Sequence, residues 1–278
     1  MRKIITEAVF HPMGDGQRFF ILHRPSNSTP ARGALLHIHA FAEEMNKSRR
    51  AVSLAARLLA ARGWWVLQHD LLGCGDSSGD FGDATWSAWI QDIDIAFHWL
   101  AKRSGSTPTL WGLRTGCLLA IQATEILACK PNLLLWQPVI SGRTFLQQFL
   151  RLKVAGKVLS EGGQSVSTKE LLQTLRSGSS LNVAGYQLSA DLALPLEQAE
   201  AHLAASRAGK ILLCELAMAP GAKGLSPSLT RMADEWRDGG CSISWECVSD
   251  LPFWQTQEIA EGQGFRTSTL QLLDQLIE

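Results

Sequence analysis

The chain carries no excess of either charge, with 26 Lys and Arg against 26 Asp and Glu in 278 residues. The basic stripe of a nucleic-acid binder is therefore missing, and the densest basic run, Lys47-Ser48-Arg49-Arg50, is too short to supply one. The six cysteines, Cys74, Cys117, Cys129, Cys214, Cys241 and Cys247, show no C-x-x-C spacing and sit mostly among apolar residues. Neither a zinc site nor a disulfide framework is expected, which points to a reducing compartment. The opening MRKIITEAVFHP has no apolar core of a signal peptide. No window nears the roughly 18 uninterrupted apolar residues that a membrane span needs. A cytoplasmic protein without a membrane span is the expectation. Internal repeats and low-complexity tracts are also missing.

What is present reads as an ordinary folded chain, 46% hydrophobic. At roughly 150 residues per domain the length allows two domains, or one α/β core with an insertion. After two strand-like segments, Ile4 to Phe10 and Gln17 to His23, strands and helices alternate. The strands are apolar runs: Ala34 to His39, Trp64 to His69, Thr109 to Gly112, Leu133 to Gln137, Ile211 to Leu216 and Ser242 to Val248. Near-continuous apolar runs suit a mostly parallel sheet covered by helices on both faces. In Thr85 to Lys102 the residues Trp86, Trp89, Ile90, Ile93, Phe97 and Leu100 form one stripe, with Gln91, Asp92, Asp94 and Lys102 facing elsewhere and Thr85 as N-cap. The tryptophans read as core, except Trp254 in a late loop.

Between Ser141 and Gly209 the strand rhythm stops. Phe145, Phe149, Leu152 and Val158 suggest one helix and Leu171, Leu172 and Leu175 another, with Gly162-Gly163 and Ser177-Gly178-Ser179-Ser180 as breaks. The expected organisation is a core of residues 1–140 and 210–278 with a helical cap insertion at 141–209.

The segment Trp111-Gly112-Leu113-Arg114-Thr115-Gly116 runs from strand through a tight turn into a helix, with glycines four apart. That is the setting of the nucleophile elbow G-x-S-x-G, here with Arg114 at its centre. Upstream, His37-Ile38-His39 leads into Ala40-Phe41-Ala42-Glu43-Glu44, where an α/β-hydrolase places the second backbone donor of its oxyanion hole. The run Asp70-Leu71-Leu72-Gly73-Cys74-Gly75-Asp76-Ser77 resembles the D-x-R-G-x-G-x-S loop of that superfamily. In chain order these segments resemble the α/β-hydrolase superfamily. More closely, the runs from His39 to Arg50, Asp70 to Asp83, Trp111 to Gly116 and Pro252 to Glu258 resemble the exosortase A system-associated hydrolase family, second type. The resemblance implies a bacterial protein that works beside protein-sorting and exopolysaccharide machinery, with a protein partner from that pathway.

A serine-hydrolase mechanism needs a nucleophile at the elbow, then an acid, then a histidine, each after its own strand. Arg114 stays protonated and cannot attack a carbonyl. The loop Ala217 to Gly224 has no acid, leaving only Glu215 inside the strand, and no histidine follows His202. The acyl-enzyme route is therefore not expected.

Several rival constellations remain. Cys74 between two glycines could meet His39 and Asp70 as an unconventional catalytic set for an ester, thioester or amide. His37, His39 and His69, at the ends of adjacent strands, invite a metal with Asp70 or Glu43, but H-x-H alone is weak, and neither metal nor cofactor is expected. Thr115 reads as helix N-cap and Cys117 as packing. Arg114 at a helix N-terminus repels the dipole unless an anion answers both. Either Glu43, Glu44 or Asp250 does so, in which case the pocket serves packing or protein contact, or an anionic or acyl-bearing ligand does. The site expected around it comprises Arg114, Phe41, Glu43, Glu44, Thr115, Asp250 and Trp254.

Overall fold

The computed structural model describes residues 3–14, 16–26, 31–160, 167–219 and 221–276, with backbone alone for 155–160. The expected glycine break at Gly162-Gly163 and the side chain of Val158 lie outside the described residues.

The chain opens with β1 (Ile4–Met13), β2 (Gly16–Pro25), β3 (Gly33–Ile38), α1 (Glu43–Ala61), β4 (Trp64–His69), α2 (Trp86–Ser104), β5 (Thr109–Leu113), α3 (Thr115–Ala123) and β6 (Leu133–Trp136). It then leaves the sheet through α4 (Gly142–Ser160), α5 (Thr168–Arg176), β7 (Leu181–Val183), β8 (Tyr186–Leu188) and α6 (Ala190–Gln198). It returns as β9 (Lys210–Leu216), α7 (Pro227–Asp238), β10 (Ser242–Val248) and α8 (Gln263–Asp274). The excursion is not purely helical, because β7 and β8 pair as an antiparallel hairpin.

Eight strands form one sheet in the order β1-β2-β4-β3-β5-β6-β9-β10. The β1–β2 and β2–β4 pairs are antiparallel, and every later pair is parallel. The alternation of side chains explains why both faces are apolar. Leu36, Leu110, Leu133, Leu135 and Leu213 face one layer with α2, α3 and α7, whereas Leu35, Trp111, Leu134, Trp136 and Leu212 face the other with α1 and α8.

Helix α2 shows how sequence sets an element. Thr85 Oγ1 accepts from Ala88 N at 3.1 Å, and Gly105 at φ 71° closes the C-terminus by donating its N–H to Ala101 O. Trp89 and Ile93 are buried along its stripe as expected, but Asp92 is not on the outer face. It is buried, with Oδ2 accepting from Arg18 Nε at 2.8 Å and from Leu72 N at 2.7 Å. Asp92 follows Trp89 by three residues and so shares its inward face. A guanidinium 74 positions upstream makes that burial tolerable.

The strand order reverses direction at β3, which lies between β4 and β5. Crevices form outside the carboxyl ends of strands at such a switch point. Here those ends are His39 to Phe41 and Arg114.

Candidate ligand site at the elbow

Arg114 sits at the turn between β5 and α3 with φ 56° and ψ −118°, in the left-handed region that an L side chain enters only under constraint. Two glycines make the turn possible. A Cβ on Gly112 would lie 2.7 Å from the Cys117 backbone, and one on Gly116 would lie 2.3 Å from Ile38 O. Gly116→Ala is therefore expected to destabilise the fold by about 1–3 kcal/mol, because the clash is with strand backbone and not with a movable side chain. Urea unfolding measures the cost, and an unchanged midpoint would show that α3 can drift from β3.

The guanidinium turns toward Glu44 in the first turn of α1. Nε lies 3.3 Å from both carboxylate oxygens and Nη2 lies 3.3 Å from Oε1. Both side chains are mostly buried. Burial raises the Glu44 pKa, and the Arg114 charge pulls it back down. One carboxylate thus answers the guanidinium and stands at the N-termini of α1 and α3 alike. The indole of Trp254 lies under the other face of Arg114, with the guanidinium carbon 5.5 Å from the ring centre. Arg114 still offers Nη1, which has no acceptor among the described residues.

Two cavities meet at this residue. The smaller, of about 270 Å³, is walled by Phe41, Glu43, Glu44, Phe145, Phe149 and Trp254. Phe41 contacts Phe145 and Phe149 edge-on, with centroids at 5.7 and 5.2 Å, which gives that cavity an aromatic side. The larger, of about 550 Å³, runs past the ends of β6 and β9 under α4 and α7. It is lined by Arg114, Gln137, Phe145, Glu200, Glu215 and Glu235 among others. The backbone N–H groups of Phe41 and Thr115 have no hydrogen-bond acceptor among the described residues. Those are the two positions that supply an oxyanion hole in this architecture.

Arg114, Phe41, Glu43, Glu44 and Trp254 thus come together, and two of the expected residues do not join them. Asp250 caps α8, with Oδ2 accepting from Gly264 N at 2.7 Å and Phe265 N at 3.3 Å, so the helix amides hold it away from Arg114. Thr115 is buried in the first turn of α3, where Arg114 occupies the N-cap position, and it lines neither cavity.

The unconventional set of Cys74, His39 and Asp70 also fails as a catalytic arrangement. His39 Nε2 accepts from Leu71 N at 3.3 Å, which places its proton on Nδ1, 2.7 Å from Ala40 O, so both ring nitrogens are spent on backbone. Cys74 is buried, and burial and the nearby Asp70 push its thiol pKa far up. Asp70 organises its own loop: Oδ2 accepts from Asp76 N at 3.0 Å, its carboxylate pairs with Arg49, and its carbonyl accepts from Ser77 Oγ. Cys117 packs with Sγ 3.6 Å from Trp136 O, and burial raises its pKa too. The histidines at the strand ends, His37, His39 and His69, border a small buried cavity with Gln68 and Asp70. No group of three or more His, Cys, Asp or Glu among the described residues is arranged to hold a metal ion.

Of the residues around the larger cavity, Arg114 was expected to bind a ligand and Glu215 stood out only as a lone carboxylate in an apolar strand. The residues of α4, α7 and the segment after β6 that enclose the cavity are joined only by folding.

Solved structures with the same architecture are numerous. Est1E from Butyrivibrio proteoclasticus with ferulic acid bound matches with a TM-score of 0.67 at 14% identity, covering 96% of this chain and 100% of that one. Fungal esterases from Rhizomucor miehei match at 0.61 and 12% identity, covering 99% of this chain and 85% of that one. A serine hydrolase without a lid from Xanthomonas campestris matches at 0.55 and 12% identity, covering 98% and 94%. The chain has the α/β-hydrolase fold, a mostly parallel eight-stranded sheet flanked by helices. No family model matches the sequence, and no curated protein matches it. Among the described residues no helix is long and apolar enough to cross a membrane.

Proposed function

We propose that this protein is a ligand-binding member of the α/β-hydrolase fold that has given up serine-hydrolase chemistry and serves an exosortase-linked exopolysaccharide pathway. The observation that carries this reading is Arg114 at the apex of the elbow, ion-paired to Glu44, where the reaction would need a nucleophile. The other two positions support it. The loop after β9 begins Ala217-Met218-Ala219, and the first carboxylate after β10, Asp250, is committed to α8. A cavity of about 550 Å³ falls in the range of small-molecule sites and exceeds what packing leaves behind.

Glu44 answers Arg114, the arrangement that by itself pointed to packing or protein contact, and it is the open cavity beyond the pair that favours a ligand, acyl-bearing over anionic. Glu44 already cancels the Arg114 charge, whereas Nη1, and on the side of the smaller cavity the amide of Phe41, suit a carbonyl oxygen. Est1E, which shares the fold, has a structure with ferulic acid bound, and an acyl-type ligand is in keeping with that likeness. The pathway assignment rests on the residues of the runs from His39, Asp70, Trp111 and Pro252 given above.

The test is fluorophosphonate labelling with a panel of short-chain esters. No serine is expected to label, and hydrolysis should stay at the buffer rate. Arg114→Ser should not restore turnover, because no histidine follows β10 to take the proton, and general-base help is worth about 10²–10⁴-fold. Labelling of any serine in the wild type, or ester turnover above buffer, would overturn the non-catalytic reading. Deleting the gene in its host tests the pathway, and normal exopolysaccharide secretion and protein sorting would remove that part.

A further inference from the structure

From the charges around the larger cavity we infer that its ligand is an acyl amide or ester bearing an ammonium group, with the carbonyl at Arg114 and the ammonium at Glu215. The inference rests on the ligand-binding reading above and names the class of molecule that the site takes.

Glu215 is the starting point. It is only 4% exposed, near the end of β9, and its Oε2 accepts from Ser226 N at 2.6 Å. Its Oε1 accepts no hydrogen bond among the described residues, although the side chain lines the cavity. That oxygen keeps access to the cavity, so it stands as an acceptor that a ligand donor can reach.

The surroundings decide the sign of that donor. Glu200 and Glu235 line the same cavity, and neither they nor Glu215 forms an ion pair among the described residues. Among the described residues the Glu200 carboxylate accepts only from Ser141 Oγ, at 2.9 Å. Against these three carboxylates the cavity wall carries two arginines and the imidazole of His202, and Arg114 is already neutralised by Glu44, which leaves Arg231 as the permanent cation. The uncompensated charge is negative, so a second anion is repelled and a cation attracted. Val139, Ile140, Phe145 and Met232 also line the cavity and suit a hydrocarbon segment.

Three matched amides test this by calorimetry on the whole chain at low ionic strength: N-hexanoylputrescine, N-hexanoyl-5-aminopentanoate and N-pentylhexanamide. They share the acyl group and differ only in an ammonium, carboxylate or methyl end. The ammonium compound should bind about tenfold tighter than the carboxylate, with a preference that shrinks as salt is added. Glu215→Gln combined with Glu235→Gln should bring the ammonium and carboxylate compounds to equal affinity, and a tenfold ammonium preference that survives in this variant would overturn the assignment to Glu215; Gln can still accept from Ser226 N. Equal or tighter binding of the carboxylate compound would overturn the ammonium assignment and leave the ligand-binding reading standing. If none of the three binds and native mass spectrometry finds no co-purifying small molecule, both fail.

Discussion

Lowering the pH from 7 to 5 is expected to remove about 4 kcal/mol of folding stability through two buried histidines alone. Burial depresses the pKa of His69 to about 3 and of His23 to about 4, from an ordinary value of 6.5. His37 and His39 shift in the same direction for the same reason. In the unfolded chain each imidazole takes up a proton as the pH falls through 6.5, while the folded protein refuses it until far lower. The stabilisation is therefore complete above about pH 6.5 and is lost progressively below it, toward 4 for His23 and 3 for His69. Each residue contributes about 2 kcal/mol between pH 7 and 5. Glu44 and Asp92, whose pKa values burial raises, act in the opposite sense as the acid range is entered. Urea unfolding at the two pH values measures the loss, and His69→Gln should shrink it by about half the two-histidine total. A midpoint that does not move between pH 7 and 5 would contradict the assignment of neutral, buried rings.

Asp92→Ala should be the most damaging single substitution outside the apolar core, at about 3–5 kcal/mol. It leaves the Arg18 guanidinium buried without a counter-charge and deprives Leu72 N of its acceptor. The consequence spreads because α2 grips Leu72 twice, with Trp89 Nε1 donating to Leu72 O at 3.0 Å. Releasing one grip loosens the loop after β4 that carries Cys74 and the Asp70 network. Arg18→Met in the Asp92→Ala background should recover part of the loss, since removing both charges costs less than stranding one. Chemical denaturation of the two single variants and the double variant gives the coupling directly. A cost below about 1 kcal/mol for Asp92→Ala would mean that water reaches Arg18.

The architecture was readable because it is written in local patterns. Apolar runs mark the parallel strands, the Trp86-to-Leu100 stripe marks α2, and the paired glycines around Arg114 mark the elbow. The partners of the polar residues were not readable, because no periodicity says which distant charge will answer a buried one. Asp92 finds Arg18 and Asp250 turns to the α8 amides across gaps that only the folded chain closes, while for Arg114 the sequence narrows the partner to Glu43, Glu44 or Asp250 and the fold selects Glu44. The same reason hid the larger cavity, whose walls come from segments separated by most of the excursion and β9. The hairpin of β7 and β8 was missed because three-residue strands are too short to show alternation.

The ion pair at the elbow also bears on how such a protein could change its trade. Replacing Arg114 by a hydroxyl residue alone would leave the Glu44 carboxylate, mostly buried, without its ion-pair partner. Replacing Glu44 alone would strand the guanidinium at the positive end of α3. Either first step descends in fitness before the second can repair it. The two positions are coupled, so that a sequence keeping this fold is expected to change both or neither.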